Sequence, residues 1–226
     1  TITSLISKGL DEVNHSNKGH LSLPTRRAIL QAINEPYVIG RISILCALKV
    51  YPIWNEFFKN DTEIIGLIKK TEKYLLGQTG KKDLLKDADH LDVFADNYME
   101  DNITAAFAAK VAVHAAYDAG AGANMVISDY DSEEEIEDPD EWDTAFLASL
   151  VYNGGIVDWD SVDDRCNKEF WNWYLTDCIR KQSNITSKIH SLSYTITSLE
   201  RRCEMLCLYK WHQRSFSKNG GFCPME

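Results

Sequence analysis

No run of eighteen apolar residues occurs in this chain of 226 residues, so no stretch reads as a transmembrane helix. The best candidate, "AAFAAKVAVHAAYDAGAGANMVI", is broken by Lys110, His114 and Asp118. The opening "TITSLISKGLDEVNHSNKGH" lacks the basic n-region and the continuous apolar stretch of a secretory signal, which leaves a cytoplasmic location as the expectation. Catalytic signatures are missing too. The chain has no P-loop, no H-E-x-x-H zinc helix, no G-x-S-x-G elbow and no G-x-G-x-x-G fingerprint. A basic surface is also lacking: net charge is −10, and residues 180–226 carry eight Lys and Arg against three Glu, leaving −15 on residues 1–179. That excludes a typical nucleic-acid reader. Cys46, Cys166, Cys178, Cys203, Cys207 and Cys223 are scattered through a long chain rather than clustered in a short one, so buried reduced thiols are expected instead of a disulfide framework.

What is present is helical periodicity, with almost no strand alternation. A chain of this length can bury roughly 70 to 75% of its unfolded surface, and its 44% hydrophobic content suits a globular core. "PTRRAILQAIN" opens with Pro24 in a first-turn position, and "YVIGRISILCALKV" runs apolar until Pro52, which should stop or kink it. "DTEIIGLIKKTEKYLLG" has Asp61 to cap its start, Ile64, Ile65, Ile68 and Leu75 to bury, and Gly77 to end it. "KKDLLKDADHLDVFADNYM" repeats the pattern through Leu84, Leu91, Phe94 and Tyr98. "ITAAFAAKVAVHAAYDAG" spaces Ile103, Phe107 and Val111 among alanines, which favour helix and permit close approach, so it reads as the central helix. "EWDTAFLASLVYNGG" stops at Gly154 and Gly155, and "SVDDRCNKEFWNWYLTDCI" carries Ser161 and Asp164 at capping-box spacing before a broad apolar face. The expectation is one all-α domain over 1–226, with 181–226 as a basic Ser/Thr/Cys-rich extension.

Past Gly120 and Gly122 and before Thr144 lies "SDYDSEEEIEDPDEWD", with ten carboxylates in the fifteen residues from Asp129 to Asp143. It fails as an EF-hand, because the sixth position from Asp129 is Glu134 instead of Gly and the twelfth is Asp140, so only weak, nonspecific calcium binding is left. As a solvated loop it would simply repel itself and stay extended. As a binding surface it would attract a basic protein, raising the association rate and rejecting like-charged competitors. Two metal possibilities compete with that reading. His90 sits among Asp87, Asp89 and Asp92, and Cys203, Cys207, His212 and Cys223 are zinc-type ligands at poor spacing. A solvated helix face and buried thiols explain both sets more simply, and His114 reads as a satisfied core or boundary histidine. No cofactor is expected.

At "ILCALKVYPIWNEFF", "AAFAAKVAVHAAYDA", "EWDTAFLASLVYNGG" and "KEFWNWYL" the sequence resembles the immunity protein 5 family of bacterial polymorphic toxin systems. The order of these blocks carries the resemblance, over roughly residues 40–180. It implies an all-helical protein made beside a toxin gene, which binds that toxin domain and neutralises it without being an enzyme. The expected partner is therefore a cognate toxin domain of a contact-dependent inhibition system, a cationic nuclease with ribonuclease favoured, and neither nucleic acid directly nor a membrane. The expected contact surface is Asp129, Tyr130, Asp131, Glu133, Glu134, Glu135, Glu137, Asp138, Asp140 and Glu141. A metal-dependent hydrolase and a structural acidic adaptor are the alternatives.

Overall fold

Alanines on most turns of the central helix leave room for neighbours on almost every side, and the architecture follows from that. The computed structural model describes residues 1–121, 142–154, 156 and 163–182, all within a unit spanning Thr1–Ser183; a second unit, Asn184–Glu226, lies outside the described residues. In chain order the helices are α1 Ile2–His15, α2 Leu23–Ile33, α3 Pro36–Phe57, α4 Glu63–Leu75, α5 Lys81–Asp96, α6 Ile103–Ala121, α7 Thr144–Asn153 and α8 Asp164–Trp173. The last continues through a π-helical segment, Tyr174–Ile179. The fold is all-α, and no strand occurs among the described residues.

α6 is the central helix, as its sequence predicts. It packs most extensively on α3, then α5, α4 and α7. Buried residues run all round it, from Ala105 to Gly120, including Lys110 and His114. α5 runs antiparallel to it: Lys110 reaches Asp92 and Asp96, Tyr117 reaches Asp89, and Gly120 faces Leu85 and Lys81. α3 is antiparallel too, since Gly40 faces Ala119 and Ser43 bonds Asp118. Among the described residues α3 is the one helix long and apolar enough to cross a membrane, but it is a core helix packed on α6, α7 and α4.

Several boundaries differ from expectation. Pro52 does not stop α3, which runs on to Phe57. The turn after the proline is held by Trp54, fully buried among Phe58, Phe94 and Tyr98 with ring centroids 4.1, 6.0 and 5.8 Å away. The cap of α8 is Asp163, whose Oδ1 accepts from the N–H groups of Arg165 and Cys166, so the Ser161 capping box is not the device used; Ser161 itself lies outside the described residues. α1 was not anticipated as a helix, although Ile6, Gly9 and Val13 form its buried stripe. Other signals held. Pro24 opens α2, Asp61 Oδ1 accepts from Glu63 N–H at the start of α4, and Gly77 at φ 70° closes it with a Schellman pattern, Gln78 N–H to Lys73 O and Gly77 N–H to Tyr74 O. Gly154 at φ 78° ends α7.

The Trp-rich motifs divide between core and margin. Trp54 and Trp171 are fully buried, while Trp142 and Trp173 pack against the core half-buried. Trp173 and Tyr152 hold the Lys49 ammonium between them at 5.1 and 4.8 Å, joining α3, α7 and α8.

Candidate functional site

The acidic surface expected from sequence, Asp129, Tyr130, Asp131, Glu133, Glu134, Glu135, Glu137, Asp138, Asp140 and Glu141, lies outside the described residues, as do Cys203, Cys207, His212 and Cys223. What is described is where that segment leaves the bundle, at Ala121 of α6, and where it returns, at Trp142 and Asp143. The return point is gripped by polar side chains from three helices.

Asp143 caps α7, its Oδ1 accepting from Phe146 N–H at 2.9 Å. Its Oδ2 accepts from both Nε and Nη2 of Arg26 on α2, each at 2.8 Å. Arg26 is 1% exposed and Asp143 9%. The guanidinium also donates to the Leu21 carbonyl at 2.6 Å and lies over the rings of Phe146 and Trp171, at 5.0 and 5.3 Å. His20 meets the same two rings edge-on. A buried cation is tolerable only with such partners, and here a carboxylate, a carbonyl and two ring faces supply them. Asp143, the last carboxylate of the acidic run, is therefore structural.

From α6, His114 Nδ1 meets the Trp142 carbonyl at 3.1 Å, which places the proton on that nitrogen because a carbonyl can only accept. One turn further on, Asp118 Oδ2 accepts from Ser43 Oγ of α3 at 2.7 Å and from Thr144 Oγ1 of α7 at 2.5 Å. Burial raises the Asp118 carboxyl above its ordinary value, against the opposing pull of those two hydroxyls and of His114. This cluster has the makings of an anchor and not of a catalyst. Ser43 is buried and its hydroxyl is committed to a carboxylate, and His114 is committed to a carbonyl. The Cys46 thiol, beside Cys178, is pushed well up by burial, which keeps it protonated and unreactive.

The metal possibility around His90 does not assemble, in line with the simpler reading of a solvated helix face. Asp87 pairs with Lys70, Asp89 accepts from Tyr117 Oη at 2.7 Å, and Asp92 pairs with the buried Lys110 at 2.7 Å, while His90 is exposed. Each carboxylate is drawn toward a different neighbour. Among the described residues no group of three or more His, Cys, Asp or Glu is arranged to hold a metal ion. Cys46, Cys166 and Cys178 are free thiols, the first and last buried.

An all-helical scaffold whose described polar clusters anchor rather than react fits a binding protein. The family model described as Immunity protein Imm5 matches residues 6–181, and the chain belongs to that family. No curated protein matches the chain. The match begins well before the motifs that suggest it in sequence, taking in most of α1 and the whole of α2 with Arg26, and it ends at the last turn of the described structure. Membership makes this a toxin-neutralising immunity protein with a cognate toxin as partner.

Proposed function

We propose that the chain acts in the cytoplasm as a non-enzymatic inhibitor of a cationic nuclease toxin, a ribonuclease in the first instance, by covering its active cleft with the carboxylates of residues 129–141. The observation that carries this reading is charge: ten carboxylates in fifteen residues on a part of the chain whose net charge is −15 over residues 1–179. A nuclease needs a basic surface to hold phosphates, so carboxylates offered in their place combine attraction with occlusion. The anchoring of Trp142 and Asp143 gives the segment a fixed return point on the bundle. Tyr130 is the aromatic group available as an anchor within it. No observation among the described residues favours the metal-dependent hydrolase over this reading.

Most single charges there contribute mainly to association rate, whereas a few desolvated carboxylates paired with Lys or Arg would each cost about 2 to 5 kcal/mol on truncation. Replacing Glu133, Glu134, Glu135 and Glu137 together by Gln keeps size and removes four charges. Stopped-flow association with the toxin domain encoded beside this chain should then slow and lose much of its salt dependence, with folding intact. An unchanged rate at low salt would place the binding surface elsewhere.

A further inference from the structure

Tyr152 on α7 and Trp173 at the end of α8 are half-buried aromatics that rest on one fully buried ring, Phe170, whose centroid lies 5.7 and 5.4 Å from theirs. The two rings are therefore set in place from beneath. Between them they hold the Lys49 ammonium of α3, 4.8 Å from the Tyr152 centroid and 5.1 Å from that of Trp173. The rings alone fix it: among the described residues Lys49 makes no hydrogen bond and no ion pair. Two carboxylates flank the seat, each engaged elsewhere. Glu169 accepts from Tyr152 Oη at 2.5 Å, and Asp177 pairs with Lys181 at 2.5 Å and accepts from Thr176 Oγ1 at 3.0 Å. The Asp177 carboxyl is held below its ordinary value chiefly by Lys181 and Thr176, with a smaller pull from Lys49. Asp177 belongs to the π-helical segment that begins at the residue after Trp173, and such segments recur at functional sites.

We infer that the pair Tyr152 and Trp173 receives an arginine side chain of the cognate toxin, and that Lys49 is the internal occupant which the arginine displaces. The inference rests on the reading of that toxin as cationic, but it concerns the described bundle and is independent of residues 129–141. The chemistry of the seat selects a cation, since two aromatic faces and two carboxylates offer nothing to an anion. An ammonium held by rings alone at the surface is held weakly, because it gives up hydration without gaining a charged partner. A guanidinium gains more. Its plane stacks on the Trp173 ring, and its fork donates to a carboxylate at the rim, where Glu169 and Asp177 keep lone pairs beyond the bonds they already make. The flexible stem of Lys49 lets its ammonium swing into water as the guanidinium enters, so the exchange strands no buried charge. Trp, Tyr and Arg are also the residues that most often dominate the energy of a protein interface.

The test uses the full chain against the purified cognate toxin domain, immobilised on a biosensor. Lys49→Met frees the seat of its cation and should lower Kd about three-fold, the size of an exposed cation–aromatic contact, whereas Lys49→Arg fills the seat more firmly and should raise Kd by about the same factor. Trp173→Ala should raise the dissociation rate about ten-fold or more, as truncation of a hot spot does. One arginine of the toxin, changed to Ala, should weaken binding to the parent and lose most of that effect against the Trp173→Ala chain. The opposite signs at Lys49 distinguish a displaced occupant from a purely structural clamp, and both Lys49 variants should melt close to the parent. Weaker or unchanged binding by Lys49→Met overturns the inference, as does a folded Trp173→Ala chain that dissociates at the parental rate. Self-association of the Lys49→Met chain in place of tighter toxin binding also overturns it, by showing that the seat serves a second copy. A parent that fails to bind the toxin removes the toxin-binding reading itself, whereas a parent that binds, with the Lys49 and Trp173 variants indistinguishable from it, removes this inference alone.

Discussion

The buried Arg26–Asp143 pair is the most consequential contact in the described structure, because it joins α2 to the residue that caps α7 and ends the acidic run. Removing one partner leaves the other charge buried and alone, so Arg26→Ala should lower the unfolding free energy by about 3 to 5 kcal/mol. Arg26→Met with Asp143→Asn removes both charges, keeps a capping side chain and should cost much less; equal losses in the two urea titrations would mean that the pairing is not what matters. Two carboxyls should respond to pH with opposite sign. Glu12 accepts from Ser22 N–H and Thr25 Oγ1, both at 2.6 Å, and although burial pushes its carboxyl up, those bonds hold it below its ordinary value. Its stabilising contribution is therefore present above the ordinary glutamate range, about 4.3, and is lost as pH falls through the lowered value. Asp118 is raised by burial, so its ionised form costs stability at neutral pH and that cost vanishes below the ordinary aspartate range, about 3.9. Between pH 7 and about 3, the deficit of Glu12→Gln should shrink on acidification, while the balance between Asp118→Asn and the parent should shift toward the parent. None of this was legible in sequence. Asp143 read as one more member of a charge run, because its partner Arg26 is 117 positions away and no local pattern couples them.

Elements were far more legible than contacts. α4, α5, α6 and α7 announced themselves through local signals, apolar residues at helical spacing and glycines at the stops, and those signals act within a few residues of where they are read. Pro52 does not end α3, because a proline removes one hydrogen bond and tertiary burial of Trp54 on the following turn outweighs that loss. α1 is hard to read from sequence because its stripe includes Gly9, whose close fit against Leu175 and Leu21 gives a buried position no apolar side chain to display. The junction between α1 and α2 shows the same dependence on distant chain. Gly19 has φ 64°, and a Cβ there would stand 2.8 Å from the Asp164 carbonyl oxygen and 2.4 Å from Lys168 Cγ, both on α8. Asn167 Nδ2 donates to Lys18 O at 2.8 Å in the same contact. Gly19→Ala should therefore destabilise by about 2 kcal/mol or more, through left-handed backbone strain and displacement of α8. Thermal melts check this, and a melting temperature equal to the parent's would show that α8 can move aside freely.

At the scale of the whole molecule, the described residues form a helical bundle, the sequence concentrates acidic charge between α6 and α7, and buried polar groups pin the chain where α7 begins. The scaffold explains why so much of the sequence looks uninformative about chemistry: alanines, tryptophans and buried hydroxyls are spent on packing and anchoring. The acidic run could be singled out from sequence because charge is read residue by residue and needs no fold to be seen. Membership of the immunity family carries the central claim, that this chain neutralises a cognate toxin by binding it. The most direct measurement is growth of cells expressing the cognate toxin domain, with and without the full chain. Co-expression should restore growth, and persistent toxicity in cells that hold the chain in soluble form would contradict the account.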